Sequence, residues 1–131
     1  MDLPHTELAF RKQYEGLLLA GRITAVFGRG IRVPPSRDAY IVGEVVTARV
    51  MERRGSERLG LPPLFNDIRI RVQITRLEVM TIDGLQAEDF EGSLPDVRDK
   101  ESLREHLADM SERPVACIES AVTRIQFRYV L

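Results

Sequence analysis

The sequence predicts one small α+β domain in which a curved, bulged β-sheet closes on itself, with an N-terminal helix and two short acidic helices. Its 131 residues, of which 44% are hydrophobic, suit a single core and are too few for two ordinary domains. From residue 67 to residue 82 apolar and polar side chains alternate as in a strand, and the phase shifts at Arg76-Leu77 as a β-bulge would shift it. Helical patterns occur only near the N-terminus and between residues 83 and 112, which favours strands as the main elements.

The N-terminal segment carries the pattern of an amphipathic helix. Its apolar residues at helical spacing are Phe10, Tyr14, Leu17 and Leu18. Thr6 stands where a side chain can cap the helix start, and Gly21 stands where a left-handed residue can end it. We therefore expect one helix between Thr6 and Gly21.

Three further segments predict strands. Residues 23–27 are rich in β-forming side chains and precede the turn-forming residues 28–30. Residues 40–53 read as a long strand, in which Glu44 falls on the same inward phase as Val46. The C-terminal segment alternates, and its inward-facing set is Ile125, Phe127, Tyr129 and Leu131.

Two acidic helices are expected between the last two strands. The first is short and lies around Ala87–Phe90, and the second runs from Asp99 to Met110. Asp99 is placed to cap the second helix, and Pro114 follows its end.

The net charge of −1 conceals a division along the chain. Residues 11–58 hold ten basic and five acidic side chains, whereas residues 83–112 hold three basic and ten acidic ones. These two segments either form opposite surfaces, one of which attracts phosphates, or interleave in space so that their fields cancel.

Composition argues against several kinds of site and location. Apolar runs such as residues 17–20 are far shorter than the roughly 20 residues that cross a bilayer, and the N-terminus lacks the basic and apolar regions of a secretion signal. The single cysteine, Cys117, cannot form an internal disulfide, and the two histidines, His5 and His106, are far apart in sequence. We expect a cytoplasmic protein with no membrane contact, no metal site and no cofactor.

The stretch GRITAVFGRGIR, residues 21–32, is the main candidate site. Arg22, Arg29 and Arg32 are suited to phosphate contacts, and the glycines allow the backbone to come close to a ligand. Tyr40 and Phe65 are candidate stacking partners for a base.

A helix ending in Leu-Leu-Leu-Ala-Gly-Arg, followed by a strand containing Thr24 and by an arginine, resembles the opening of the ASCH domains of the PUA-like β-barrel superfamily. The run from Gly84 to Gly92, a helix centred on Leu103 and the terminal Ile-Gln-Phe are similar to the back half of that family. The resemblance implies a PUA-like small curved β-barrel with a cleft that accepts RNA or a nucleotide, lined by Arg22, Thr24, Arg29, Arg32 and Tyr40.

The resemblance also implies a limit on the chemistry. Family members that cleave acylated cytidine are thought to use a lysine of a Gly-Arg-Lys-Thr turn and a nearby threonine, but Ile23 occupies the lysine position here. A hydrocarbon side chain cannot donate a proton or activate a hydroxyl. The first expectation is therefore an RNA- or nucleotide-binding domain without catalysis, and the alternative is a hydrolase of a modified nucleoside with Thr24 and Glu44 as candidate catalytic residues.

Two other readings remain open. A protein partner would bind through Leu61, Leu64 and Phe65 or through the acidic helices. Cys117 and His106 have the types of a nucleophile and its base, but without an orienting signature we interpret them as a buried small hydrophobe and a surface imidazole.

Overall fold

A computed structural model describes residues 7–36 and 39–130, which form a mixed α+β structure built on a curled five-stranded half-barrel. The strands and helices, in chain order, are β1 Glu7–Arg11, α1 Glu15–Leu19, β2 Ala25–Arg29, β3 Val45–Arg53, β4 Leu64–Thr81, α2 Lys100–Ser111 and β5 Ala121–Tyr129. Short 3-10 turns occupy Lys12–Tyr14, Ile82–Gly84, Ala87–Phe90 and Val115–Cys117. In the described part of the chain, no helix is long and apolar enough to cross a membrane.

The sheet order is β1-β3-β4-β5-β2, so β1 and β2 are the two edge strands. β1 runs parallel to β3, and the other pairs are antiparallel. The 18-residue β4 pairs with β3 through its first half and with β5 through its second half. A register shift lies where the two halves meet, since Ile74 is opposite Phe127 and Arg76 is opposite Gln126. The predicted bulge is thereby confirmed, and such a bulge increases the local bend of the sheet.

The predicted N-terminal helix is wrong over its first half. Residues 7–11 form the edge strand β1, which buries Leu8 and Phe10 and pairs along β3 from Glu7 opposite Thr47 to Arg11 opposite Met51. Phe10 fits the two-residue alternation of a strand together with Leu8, and it also fits a helical spacing with Tyr14. The strand forms because this segment pairs with β3. The helix α1 spans only the five residues Glu15–Leu19. Gly21, two residues after its end, has a φ of 70°, which confirms the predicted left-handed stop. Thr6, the predicted cap, lies outside the described residues.

The other strands differ from expectation mainly at their ends. β3 begins at Val45 rather than at Tyr40, because the backbone N–H of Glu44 bonds to the carbonyl of Ile41 (3.1 Å) in a turn before the strand. In β5 the predicted inward residues Ile125 and Phe127 are buried and Tyr129 is half-buried, while Leu131 lies outside the described residues. The long acidic helix is confirmed as α2, and Ala87–Phe90 is a 3-10 turn.

The core lies between one face of the sheet and the helices. Its fully buried members are mainly aliphatic residues of the central strands and of α2, including Val46, Val50, Val72, Ile74, Ile125 and Leu103. Leu18 of α1 and Tyr14 of the preceding turn complete it from the N-terminal side. Because α2 is anchored in this core through Leu103 and Leu107, the residues between them are held in place beside the edge strands.

Candidate ligand-binding groove

A groove lies where the edge strands β1 and β2 and the helix α2 come together. It consists of two adjoining cavities, cavity 1 of about 260 Å³ and cavity 2 of about 320 Å³. Five residues border both cavities and form their shared wall: Ala9 of β1, Phe27 and Gly28 of β2, Arg32 of the following loop, and His106 of α2. Of these five, only Arg32 and His106 have polar side chains.

Most of the described residues that line cavity 1 are apolar, and none of them is acidic. Its walls include aliphatic and aromatic side chains from both edge strands, from α2 and from the loop before α2, such as Leu8, Phe10, Val26, Val97 and Leu103. Its charged side chains are Arg11 and Arg32. An apolar pocket with a few converging polar groups is the usual form of a small-molecule site, and the charge of this one favours an anion.

Cavity 2 has mixed charge. Arg29, Arg32 and Arg54 contribute positive charge, and Glu57 and Glu112 contribute negative charge. Phe65 lines the same cavity and lies under the guanidinium of Arg49, 4.9 Å from ring centroid to Cζ. Cavity 1 is therefore the more favourable of the two for a negatively charged ligand.

The position of Arg32 is fixed by its own backbone and by Gly28. The Arg32 N–H donates to the hydroxyl of the buried Thr123 (2.8 Å), and the same hydroxyl donates to the carbonyl of Gly30 (2.8 Å). A Cβ at Gly28 would lie 3.2 Å from Cγ of Arg32, so the arginine stem passes closely over this glycine. Since Arg32 Nε bonds only to the carbonyl of Arg29 (3.2 Å) and no described carboxylate lies within 4.0 Å, the Arg32 charge has no ion pair in the described part of the protein.

His106 is largely buried beside this arginine-lined space. Burial lowers the pKa of its imidazole, and the nearby charge of Arg11 lowers it further against the opposing effect of Asp96 and Asp109. The imidazole is therefore neutral at pH 7. Its Nδ1 is buried and has no hydrogen-bond partner among residues 7–36 and 39–130. The expected surface imidazole is thus wrong, and so is the expected buried cysteine, because Cys117 is exposed.

A charged cluster closes the outer end of α2 against β1 and the β3–β4 turn. Arg11 and Arg54 both donate hydrogen bonds to Oδ2 of Asp109, the second at 3.0 Å. Burial alone would raise the pKa of Asp109, but these bonds and charges outweigh it and leave the pKa lowered. The backbone N–H of Arg58 also bonds to Glu112 (3.2 Å). The basic and acidic segments therefore interleave here, which favours the second of the two charge arrangements considered from the sequence.

Two tyrosines support cavity 1 from the core. The hydroxyl of Tyr14 donates to the carboxylate of Asp96 (2.7 Å), and its pKa is raised by burial and by that carboxylate. The hydroxyl of Tyr40 donates to the carbonyl of Glu7 (2.9 Å), so this buried ring ties the loop before β3 to the edge strand β1.

The predicted binding residues fall into two groups. Arg29, Arg32 and Tyr40 line the groove. Arg22 and Thr24 lie at the opposite end of β2, where Arg22 is exposed and Thr24 packs on Gly92. With a rise of about 3.3 Å per residue along β2, the two groups are on the order of 15 Å apart.

The two candidate catalytic residues are not brought together. Thr24 precedes β2 and Glu44 precedes β3, and β4 and β5 lie between these strands. The carboxylate of Glu44 accepts the N–H of Ile41 (2.9 Å), a local turn contact. Ile23, which the resemblance to ASCH domains aligns with a lysine, is 1% exposed and belongs to the core.

The loop proposed for a protein partner is divided between the surface and the groove. Leu61 and Leu64 are 47% and 53% exposed. Leu61 and Phe65 line cavity 2. Leu61 and Phe65 therefore belong to the wall of cavity 2, and Leu64 is exposed outside that wall.

Sequence reasoning missed Phe27, Arg11 and the position of His106. Phe27 lines both cavities and contacts Phe90 at 5.5 Å between ring centroids, but in the sequence it is one of several apolar residues of a short strand. Arg11 falls in the part of the predicted N-terminal helix that forms the strand β1 instead. The burial of His106 could have been expected from the sequence, because His106 directly precedes Leu107, a residue of the core-facing side of α2.

Comparisons with known proteins identify the fold only. No family model matches the chain, and no curated protein matches it significantly. Among solved structures it is similar to the crystal structure of a hypothetical protein, PH0355, with a TM-score of 0.55 at 16% identity, over 95% of this chain and 97% of the other. It is also similar to the protein EF3133 of Enterococcus faecalis V583, described as family DUF984, with a TM-score of 0.52 at 15% identity, over 90% of this chain and 70% of the other. At such identities these likenesses show a shared small curved-sheet fold.

Proposed function

We propose that this protein is an RNA- or nucleotide-binding domain of ASCH, PUA-like type, and that the ligand binds in the groove between β1, β2 and α2. The observation that carries the proposal is Arg32, a half-buried guanidinium that borders both cavities and has no ion pair with any described residue. Holding a cation in this environment is unfavourable unless an anion compensates it, and a phosphate suits the planar guanidinium best.

The two cavities fit different parts of a nucleotide. Cavity 1, with its aliphatic walls and without acidic lining among the described residues, suits a base. The half-buried ring of Phe27 at the shared wall provides a stacking surface, and its contact with Phe90 fixes its orientation. Cavity 2 contains Arg29 and Arg54, which would contact the next phosphates of a longer single-stranded RNA. This division supports a mononucleotide or a short single strand rather than a duplex.

Titration with short RNA tests the proposal. Fluorescence anisotropy is measured for labelled homopolymeric hexanucleotides, with unlabelled nucleoside monophosphates as competitors. We expect Arg32→Gln to weaken binding about tenfold or more at low salt, as the loss of a charged hydrogen bond would do, and to reduce the salt slope by about 1.

Arg69→Gln is the matched control. Arg69 is exposed on β4, and its side chain makes no ion pair with a described residue. The Arg69→Gln substitution removes one positive charge, as Arg32→Gln does, but at a position outside the groove. An equal loss of RNA affinity in the two variants would show that binding follows net charge alone. Absence of binding at low salt to every RNA and nucleotide tested would rule the proposed function out.

A further inference from the structure

The imidazole of His106 has an unexplained environment. Its Nδ1 is buried without a partner in the described part of the chain, and leaving a buried polar group in this state is unfavourable. His106 lies on α2, Arg32 lies in the loop after β2, and both border both cavities. They are the two polar side chains of the shared wall.

We propose that Arg32 and His106 together form a phosphate subsite at the junction of the two cavities, and that binding a phosphate group is coupled to uptake of a proton by His106. This inference rests on the proposed function and specifies it: the phosphate lies at the shared wall, with the base in cavity 1. The guanidinium supplies the permanent charge. The imidazole supplies a second donor that becomes cationic when the anion is present.

The electrostatic surroundings of His106 set the direction of this coupling. The charged groups that act on it are Arg11 of β1, Arg54 of the β3–β4 turn, Asp96 of the loop before α2 and Asp109 of α2 itself. Arg32 and Tyr14 also line cavity 1 with it. Burial is the largest influence and lowers the pKa of His106 below its ordinary value of 6.5 in the free protein.

A bound phosphate opposes the effect of burial on the pKa of His106. A negative charge within a few ångströms favours the imidazolium and raises the pKa of His106 in the complex. A group whose pKa is higher in the bound state takes up a proton on binding, so affinity increases as pH falls through the bound-state pKa towards the free-state pKa. One proton changes the affinity by at most about tenfold per pH unit.

Calorimetry with hexauridylate lacking terminal phosphates tests this coupling. Uracil and internal phosphodiesters do not change charge between pH 5.5 and 8, so the ligand contributes no protons of its own. Titrations in two buffers of different ionisation enthalpy measure the protons exchanged. We expect net uptake by the wild type near pH 6.5, rising affinity from pH 8 to pH 6, and loss of both effects in His106→Gln, which keeps a hydrogen-bonding side chain that does not titrate.

A second measurement on the unaltered protein keeps the inference testable if His106→Gln folds poorly. The two histidines are followed by NMR of their ring protons, with and without hexauridylate. We expect His106 to titrate below 6.5 alone and at higher pH with RNA. Binding without a shift of His106 would overturn the subsite while leaving the proposed function in place, whereas absence of RNA binding would overturn both. In Arg69→Gln, proton uptake should match that of the wild type.

Discussion

The hydroxyl of Thr123 accepts a hydrogen bond from the backbone N–H of Arg32 and donates one to the carbonyl of Gly30, both at 2.8 Å. Thr123 is fully buried on β5, the strand that pairs with β2. This single oxygen therefore fixes both ends of the turn from which the Arg32 side chain enters the shared wall. The position of the proposed phosphate contact depends on a residue that does not line either cavity.

Replacing Thr123 with valine should weaken folding and binding together. Valine keeps the shape but leaves the N–H of Arg32 and the carbonyl of Gly30 without their partner, at about 1–3 kcal/mol for each buried group that stays unsatisfied. Urea denaturation measures the loss of unfolding free energy, and anisotropy measures RNA affinity at a temperature where the variant is folded. Thr123→Ser keeps the hydroxyl and should retain both hydrogen bonds. If Thr123→Val is as stable as Thr123→Ser, these bonds do not hold the turn.

The cluster of Arg11, Arg54 and Asp109 should contribute to acid sensitivity. The pKa of Asp109 is lowered in the folded state, so its stabilising effect is complete above the unfolded value of about 3.9 and is lost as pH falls through the folded value. Asp109 is 54% exposed, which limits the effect to about 1 kcal/mol. We expect Asp109→Asn to lower the unfolding free energy at pH 7 and to reduce its decline between pH 5 and pH 3.

Part of that decline must remain in Asp109→Asn. The pKa values of Glu52, Asp99 and Glu112 are also lowered, each by hydrogen bonds that stabilise the carboxylate. Chemical denaturation at a series of pH values separates the contributions. An unchanged pH dependence in Asp109→Asn would show that Arg11 and Arg54 do not stabilise this carboxylate in solution.

The sequence predicted structural features correctly where they depend on residues close together in the chain. Its predictions failed where the structure depends on contacts with residues far along the chain. The bulge near Arg76, the cap at Asp99 and the stop at Gly21 are local, and each is found at its predicted place. Residues 7–11 follow helical spacing, yet they form a strand because β3, some 40 positions later, pairs with them. Likewise, Arg32 and His106 are brought to one wall only by the closure of α2 on β2, which no spacing in the chain reveals.

The N-cap of α2 offers a test of the helix that carries His106. The N–H of Ser102 donates to Oδ1 of Asp99 (2.8 Å), and the N–H of Asp99 donates to the hydroxyl of Ser102 (3.0 Å). Asp99→Ala should lower the unfolding free energy at pH 7, and Asp99→Asn should lower it less because its oxygen still caps. The bond from the Ser102 backbone lowers the pKa of Asp99, so the penalty of Asp99→Ala should shrink towards pH 3. An equal penalty at both pH values would contradict a charged cap.

Gly92 packs closely against Thr24 at the start of β2. Gly92 has a φ of 77°, its carbonyl accepts the N–H groups of Thr24 (2.8 Å) and Ala25 (3.1 Å), and a Cβ at Gly92 would lie 2.2 Å from Oγ1 of Thr24. Gly92→Ala should therefore lose about 1–2 kcal/mol to left-handed strain and a further 1–3 kcal/mol, roughly, to the clash. Adding Thr24→Ala removes Oγ1, so the double variant should recover the steric part but keep the strain. Urea denaturation of the two single variants and the double variant measures this coupling. A double variant no more stable than Gly92→Ala would show that the threonine hydroxyl does not face Gly92.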